Sequence, residues 1–158
     1  MRAIIQSWRT FRALNSAERD VARSAAMGLT ATWVALRVVG FKRWNEIIVK
    51  RTGNAAEIRS AQNSSPLSAN RIWQLEAAAA RNLFFRTNCL EQSLVLWSIL
   101  RRRGFSAELK IGARKEAGRF EAHAWVELDG RRLNDESDSH SNFVPFDGAI
   151  SSMETQAE

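Results

Sequence analysis

Cys89 is the single cysteine in a chain of 158 residues that has only two histidines, His123 and His140. A lone cysteine has no internal disulfide partner, and zinc centres draw on several Cys and His side chains. Cys89 is therefore either a small buried hydrophobe or a reactive thiol. The thiolate is the nucleophilic form, and it is favoured where helix N-terminal N–H groups and an imidazolium face the sulfur. His123 lies in the alternating stretch Glu121–Ala122–His123–Ala124–Trp125–Val126–Glu127, on the face opposite the alternating apolar residues. Asp135 closes the segment after it, where a carboxylate can hold the second imidazole nitrogen and fix the tautomer. Taken singly, each has a bland reading: a cysteine packed beneath Leu90 and Leu94, a structural strand histidine, a surface aspartate. Taken together they supply a nucleophile, a base and an orienting group. His140 and Asp138 sit in the polar run Asp138–Ser139–His140–Ser141, where solvation is the simpler role; Asp138 is the reserve for Asp135.

The elements that must position these groups are readable from periodicity. Ile4, Ile5, Trp8 and Phe11 recur at helical spacing, and Asn15 with Glu18 three residues on marks the start of a second helix. Along that helix Val21, Ala25, Leu29, Trp33, Leu36 and Gly40 form a stripe flanked by Arg19, Arg23 and Arg37, as expected of a face turned to the protein's own core. Trp44, Ile47 and Ile48 extend the helical region, and Gly53–Asn54 breaks it. Residues 62–65 read as a connector. Pro66 suits the first position of a helix running to about Asn82, with Ile72, Leu75, Ala79 and Leu83 on one face. Thr87 or Asn88 can cap the next helix, which carries Cys89, Leu90, Leu94 and Trp97 and ends at Gly104, placing Cys89 in a first turn. The triplet Arg101–Arg102–Arg103 suits a helix C-terminus.

Beyond Gly104 the period becomes two. Ala107, Leu109 and Ile111 share one strand face, and Phe120, Ala122, Ala124, Val126 and Leu128 share another, joined by a polar loop at residues 112–118. Asp129–Gly130 signals a hairpin into residues 131–135, residues 136–142 read as loop, and residues 143–146 as a short final strand. A two-residue turn would put Asp135 on the opposite face from His123. A three-residue loop of Leu128, Asp129 and Gly130, with a bulge at Gly130, pairs the two directly, and the bulge is the expectation; failing it, pairing ends before Asp135. The fold class is thus α+β: N-terminal helices and a Cys-bearing helix packed on a small antiparallel sheet.

Composition sets the outer bounds. With 45% hydrophobic and 25% charged residues, this is a globular balance. The longest uncharged run, residues 24–36, is shorter than the roughly eighteen residues a membrane span needs. Arg2, Arg9 and Arg12 break up the N-terminal apolar residues, which argues against a secretory signal and for the cytoplasm. The net charge of +6 is uneven: residues 1–60 hold eleven Lys or Arg against four Asp or Glu, and the remainder is nearly neutral. Such asymmetry suits nucleic acid, anionic lipid or an acidic protein. The aromatic side chains of the basic part, Trp8, Phe11, Trp33 and Trp44, sit at helical spacings that favour packing over base stacking.

One family resemblance draws these parts together. Thr87–Asn88–Cys89–Leu90–Glu91–Gln92–Ser93–Leu94, then Leu100–Arg101–Arg102–Arg103–Gly104–Phe105, Leu109–Lys110–Ile111–Gly112 and Ala122–His123–Ala124–Trp125–Val126–Glu127 with Asp129–Gly130 resemble, in order, the bacterial leader peptidase of lasso-peptide biosynthesis. That is a transglutaminase-like cysteine protease family, and the resemblance covers residues 66–148. It implies a transglutaminase-like or papain-like fold, Cys89 as nucleophile, His123 as general base and Asp135 as the third triad member. With the charge and pattern read above, the chain divides into a basic helical segment at 1–60, a protease core at 61–150 that holds the resemblance, and a disordered tail at 151–158. The implied reaction is hydrolysis of one bond in a ribosomal precursor peptide, with no metal and no cofactor of the enzyme's own. The implied partners are the precursor's leader, a separate leader-recognition protein and an ATP-dependent cyclase, through which ATP could stimulate the reaction. Nucleic acid is not among them, and the basic helices offer peripheral membrane contact. For the oxyanion, the Cys89 N–H is the first donor, and Asn88, Gln92 and Trp125 are candidates for a second. The alternatives are acyl transfer by the same triad, or a non-catalytic basic scaffold or nucleic-acid binder.

Overall fold

A computed structural model of the chain describes residues 13–52, 65–116, 118–134 and 143–146. Among these residues four helices pack beside a four-stranded antiparallel sheet, an α+β architecture as the sequence leads one to expect. The helices are α1 (Ser16–Val38), α2 (Phe41–Thr52), α3 (Ala69–Asn82) and α4 (Cys89–Arg102). The strands are β1 (Glu108–Glu116), β2 (Arg119–Leu128), β3 (Arg131–Arg132) and β4 (Val144–Pro145), in the order β3-β2-β1-β4. Among the described residues no helix is long and apolar enough to cross a membrane.

Helix α1 starts where Asn15 and Glu18 exchange side-chain and backbone hydrogen bonds, each 2.9 Å long, satisfying two N–H groups that the first turn leaves over. The Asn15 N–H, followed by the Arg71 guanidinium at 2.7 Å, holds the Glu18 carboxyl below its ordinary pKa and ties α1 to α3. Val21, Ala25 and Leu29 are fully buried as the stripe requires, but the next buried position is Thr32. Its hydroxyl accepts a hydrogen bond from the Trp44 indole at 3.1 Å, fastening α2 to α1. Gly40 lies outside the stripe: it follows the helix with φ 79°, a left-handed conformation open to glycine, and separates α1 from α2.

Helix α3 begins later than Pro66 suggests. Ser68 is the residue that caps it, accepting the Arg71 N–H, and Pro66 stands before the cap. Helix α4 is the axis of the molecule. Leu94, Leu96 and Leu100 are wholly buried, Trp97 is nearly so and donates to the Ala107 carbonyl at 3.0 Å, and the same core takes in Val21 and Leu29 of α1, Ile72 of α3 and Leu109 and Val126 of the sheet. The helices α1 and α4 run antiparallel, since Arg37 pairs with Glu91 at one end and Asp20 with Arg103 at the other.

Two features of the sheet differ from the sequence-based expectation. The polar segment 112–118 continues β1 as far as Glu116, because Arg114 pairs across the ribbon with Glu121 at 2.7 Å and Lys115 lies over the Phe120 ring. Cross-strand charge and ring contacts stabilise a ribbon whose pattern is too polar to read as buried. The second is the turn at Asp129–Gly130, which has two residues and no bulge: Leu128 pairs with Arg131, and φ is 52° at Asp129 and 73° at Gly130. Both angles positive is the geometry whose twist matches the flanking strands, and Asp-Gly suits it. Among the described residues ladder pairing with β2 stops at Arg132, and Asp135 lies outside them. Helical spacing at residues 4–11, the break at Gly53–Asn54, the loop at 136–142 and the tail lie outside the described residues.

Candidate active site

Cys89 is the first residue of α4, half-buried, with its thiol free. The start of that helix is fixed twice. Asn88 Oδ1 accepts the Glu91 N–H and Glu91 Oε2 accepts the Asn88 N–H, both at 2.9 Å. The other oxygen of Glu91 meets the Arg37 guanidinium of α1 at 2.9 Å, and the carboxylate is 1% exposed. A carboxylate this deep needs a counter-charge as well as hydrogen bonds, and Arg37 supplies it. Arg37 is held in turn: it donates to the Trp33 carbonyl at 2.6 Å and lies 4.1 Å from the Trp33 ring centroid, which packs on Phe85 of the connector into α4. The helix N-terminus presents first-turn N–H groups, where the macrodipole favours a developing oxyanion.

Ser93, one turn after Cys89 and fully buried, fastens this helix to the strand that carries the histidine. Its hydroxyl donates to the Ala124 carbonyl at 2.8 Å and accepts from Asn134 Nδ2 at 2.9 Å, while Asn134 Oδ1 accepts the Val126 N–H at 2.8 Å. This network occupies the edge of β2 where β3 has ended. It lies one helical turn from Cys89, one residue from His123 and one residue from Asp135, which itself falls outside the described residues with Asp138 and His140.

His123 is half-buried on the face of β2 away from Ala124 and Val126. Its ring lies 5.2 Å from Phe143 and 6.0 Å from Trp125, nearly parallel to the latter at 16°. Trp125 has no exposed surface; its indole donates to Glu127 at 2.7 Å and Arg132 covers its ring at 4.2 Å. Across the ladder from His123 stands Gly112, which also pairs with Pro145 of β4. A Cβ at Gly112 would lie 2.5 Å from the Val144 carbonyl oxygen and 2.9 Å from the Trp125 ring, so only glycine lets β4, and Phe143 with it, come this close to His123.

A profile of the transglutaminase-like superfamily matches residues 29–146, most of the chain and every element from the middle of α1 to β4. The chain belongs to the transglutaminase-like superfamily. It is also similar to the microcin J25-processing protein McjB of Escherichia coli, 41% identical over 51 residues. That alignment takes in 32% of this chain and 24% of the relative, so the chain matches about a quarter of the curated protein. No solved structure matches.

Within this transglutaminase-like domain two candidates for a second oxyanion donor are engaged elsewhere: Gln92 donates to the Thr87 hydroxyl at 2.9 Å, and the Trp125 indole donates to Glu127 at 2.7 Å, whereas Asn88 gives only its side-chain oxygen to the helix cap. No group of three or more His, Cys, Asp or Glu is placed to hold a metal among the described residues. Sequence reasoning missed Arg37, Glu91, Ser93, Gly112 and Asn134 as positioning residues. Two of them carried a signal. Glu91 stands three residues after Asn88, the spacing of a capping pair, and Ser93 is a hydroxyl on the face that Leu90, Leu94 and Trp97 share.

Proposed function

We propose that the protein is a cysteine peptidase that cuts the leader from a lasso-peptide precursor, with Cys89 as nucleophile, His123 as general base and Asp135 holding the imidazole. The observation that carries this reading is a free cysteine at the capped N-terminus of a helix whose next turn is bonded to the backbone beside a strand histidine, in a transglutaminase-like chain similar in part to a microcin-processing protein. In the proposed reaction His123 takes the thiol proton and the thiolate attacks the scissile carbonyl carbon. The Cys89 N–H supports the oxyanion, and His123 then returns the proton to the leaving amine. Water, deprotonated by the same imidazole, hydrolyses the thioester and restores the thiol. The chemistry requires no metal. A separate recognition protein would present the leader, and a cyclase would consume the freed amine.

The test is incubation with precursor and recognition protein, read by mass. Wild-type protein should release leader and core; Cys89→Ala should release neither while keeping its helical circular dichroism. Asp135→Asn should slow cleavage by roughly 10²- to 10⁴-fold, as loss of an orienting carboxylate does in comparable triads. Undiminished cleavage by Cys89→Ala would end the proposal. A product joined to an amine, in place of hydrolysis, would assign the same triad to acyl transfer.

A further inference from the structure

Three depressions on the helical face, away from the sheet, run into one another. The first lies along α1 and is walled by Met27, Ala31, Val34, Val38 and Trp44. The second shares Met27, Ala31 and Trp44 and extends between α2 and α4 to Arg51 and Arg102. The third shares Ser24 and Arg102 and ends on Asp20 and Arg103. They form a single trough that follows α1 over residues 24–38, about 21 Å at 1.5 Å per residue. Its floor is apolar and open: Met27 is 67% exposed, Val34 46% and Val38 76%.

We infer that this trough receives an amphipathic helix of an acidic protein partner, its apolar face on Met27, Val34 and Val38 and its carboxylates against Arg51 and Arg102. The walls are helix side chains and offer no strand edge, so an occupant has to satisfy its own backbone, which a helix does and an extended segment does not. The exposed apolar side chains recur at helical intervals along α1, matching the ridge spacing of an incoming helix. The charge at the far end selects the sign. Arg103 is already neutralised by Asp20 at 2.7 Å, whereas Arg51 and Arg102 are exposed and form no ion pair among the described residues. A second copy of a chain of net charge +6 would set like charge against like. Because α1 and α4 run antiparallel, the Val38 end of the trough lies at the end of the helical layer that holds Cys89. The inference stands whether or not Cys89 is catalytic.

The experiment uses full-length protein and fluorescein-labelled peptides of about 18 residues, read by anisotropy: a Leu-based amphipathic helix with Glu at one end, the same composition scrambled, and the same helix with Lys for Glu. The acidic amphipathic peptide should bind and the other two should not. Val34→Glu and Val38→Glu, both at exposed positions, should weaken binding at least tenfold. The double variant Arg51→Glu with Arg102→Glu should lose the acidic peptide and gain the Lys one, an exchange that loss of fold cannot produce. Equal binding of the scrambled peptide, no binding of the acidic one, or no exchange in the double variant overturns the inference. So does a dimer that Val38→Glu dissociates, or retention on phosphatidylglycerol vesicles with no peptide binding.

Discussion

Ser93 stands where three parts of the site meet. Its hydroxyl holds the Ala124 carbonyl and the Asn134 amide at once, so Ser93→Ala removes a buried partner from the first and a part-buried one from the second. Unsatisfied buried groups cost about 1–3 kcal/mol each, and the variant should show a melting temperature lower by several degrees together with slower precursor cleavage. Ser93→Thr, which keeps the hydroxyl, should recover part of the activity. Glu76 is a second buried polar group, but one with no stated task. It sits on the core face of α3, 1% exposed, its Oε1 without a hydrogen-bond partner, and burial raises its pKa from 4.5 to about 8 against a weaker opposing pull from Arg81. Between those values the folded state keeps a proton that the unfolded chain has lost. Stability contributed at this position is therefore complete below pH 4.5, falls as the pH rises and is gone above about 8. Each pH unit inside the window is worth up to about 1.4 kcal/mol. Chemical denaturation of wild type and Glu76→Gln from pH 5 to 9 should give a difference that slopes over this interval; parallel profiles would mean that the carboxyl is ionised in the fold.

At the scale of elements, β4 is two residues long yet settles what surrounds the histidine. Gly112→Ala forces a methyl against the Val144 carbonyl and the Trp125 ring, so β4 has to lift away and Phe143 with it. Overpacking of this kind costs about 1–3 kcal/mol, and the His123 ring resonances should move while those of α3 do not. Elements built from local pattern were legible in the sequence. The Asn15–Glu18 start of α1, the placing of Cys89 in the first turn of α4 and the presence of strand β2 all follow from neighbours within four residues. The alternation expected along β2 does not hold throughout: Phe120 and Ala122 are exposed, and Trp125 is buried beside Ala124 and Val126. Less was legible where distant or cross-strand groups decide. The length of β1 depends on Arg114 meeting Glu121, the start of α3 on Ser68 outcompeting the preference of Pro66, and the turn at Asp129–Gly130 on strand twist favouring two left-handed residues over a bulge.

For the molecule as a whole, the basic N-terminal segment is more than a charged attachment. Val21, Ala25 and Leu29 of α1 share one core with α4 and the sheet. Questions about partner binding are therefore better put with substitutions such as Val38→Glu than by deleting residues 1–60, which would strip buried surface from the domain that carries Cys89. The candidate triad was legible only as three residue types in plausible elements. The groups that join those elements, Arg37 to Glu91 and Ser93 to Ala124, are separated by 54 and 31 positions, and no local pattern announces such pairs.

That first separation has a bearing on how the protein comes into being. Glu91 shapes the turn around Cys89 with one oxygen and depends on a cation fifty-four positions upstream for the other. Arg37 leaves the ribosome before Glu91 is made, so the turn around Cys89 waits only on the closing of a long loop, at an entropic cost that grows with its length.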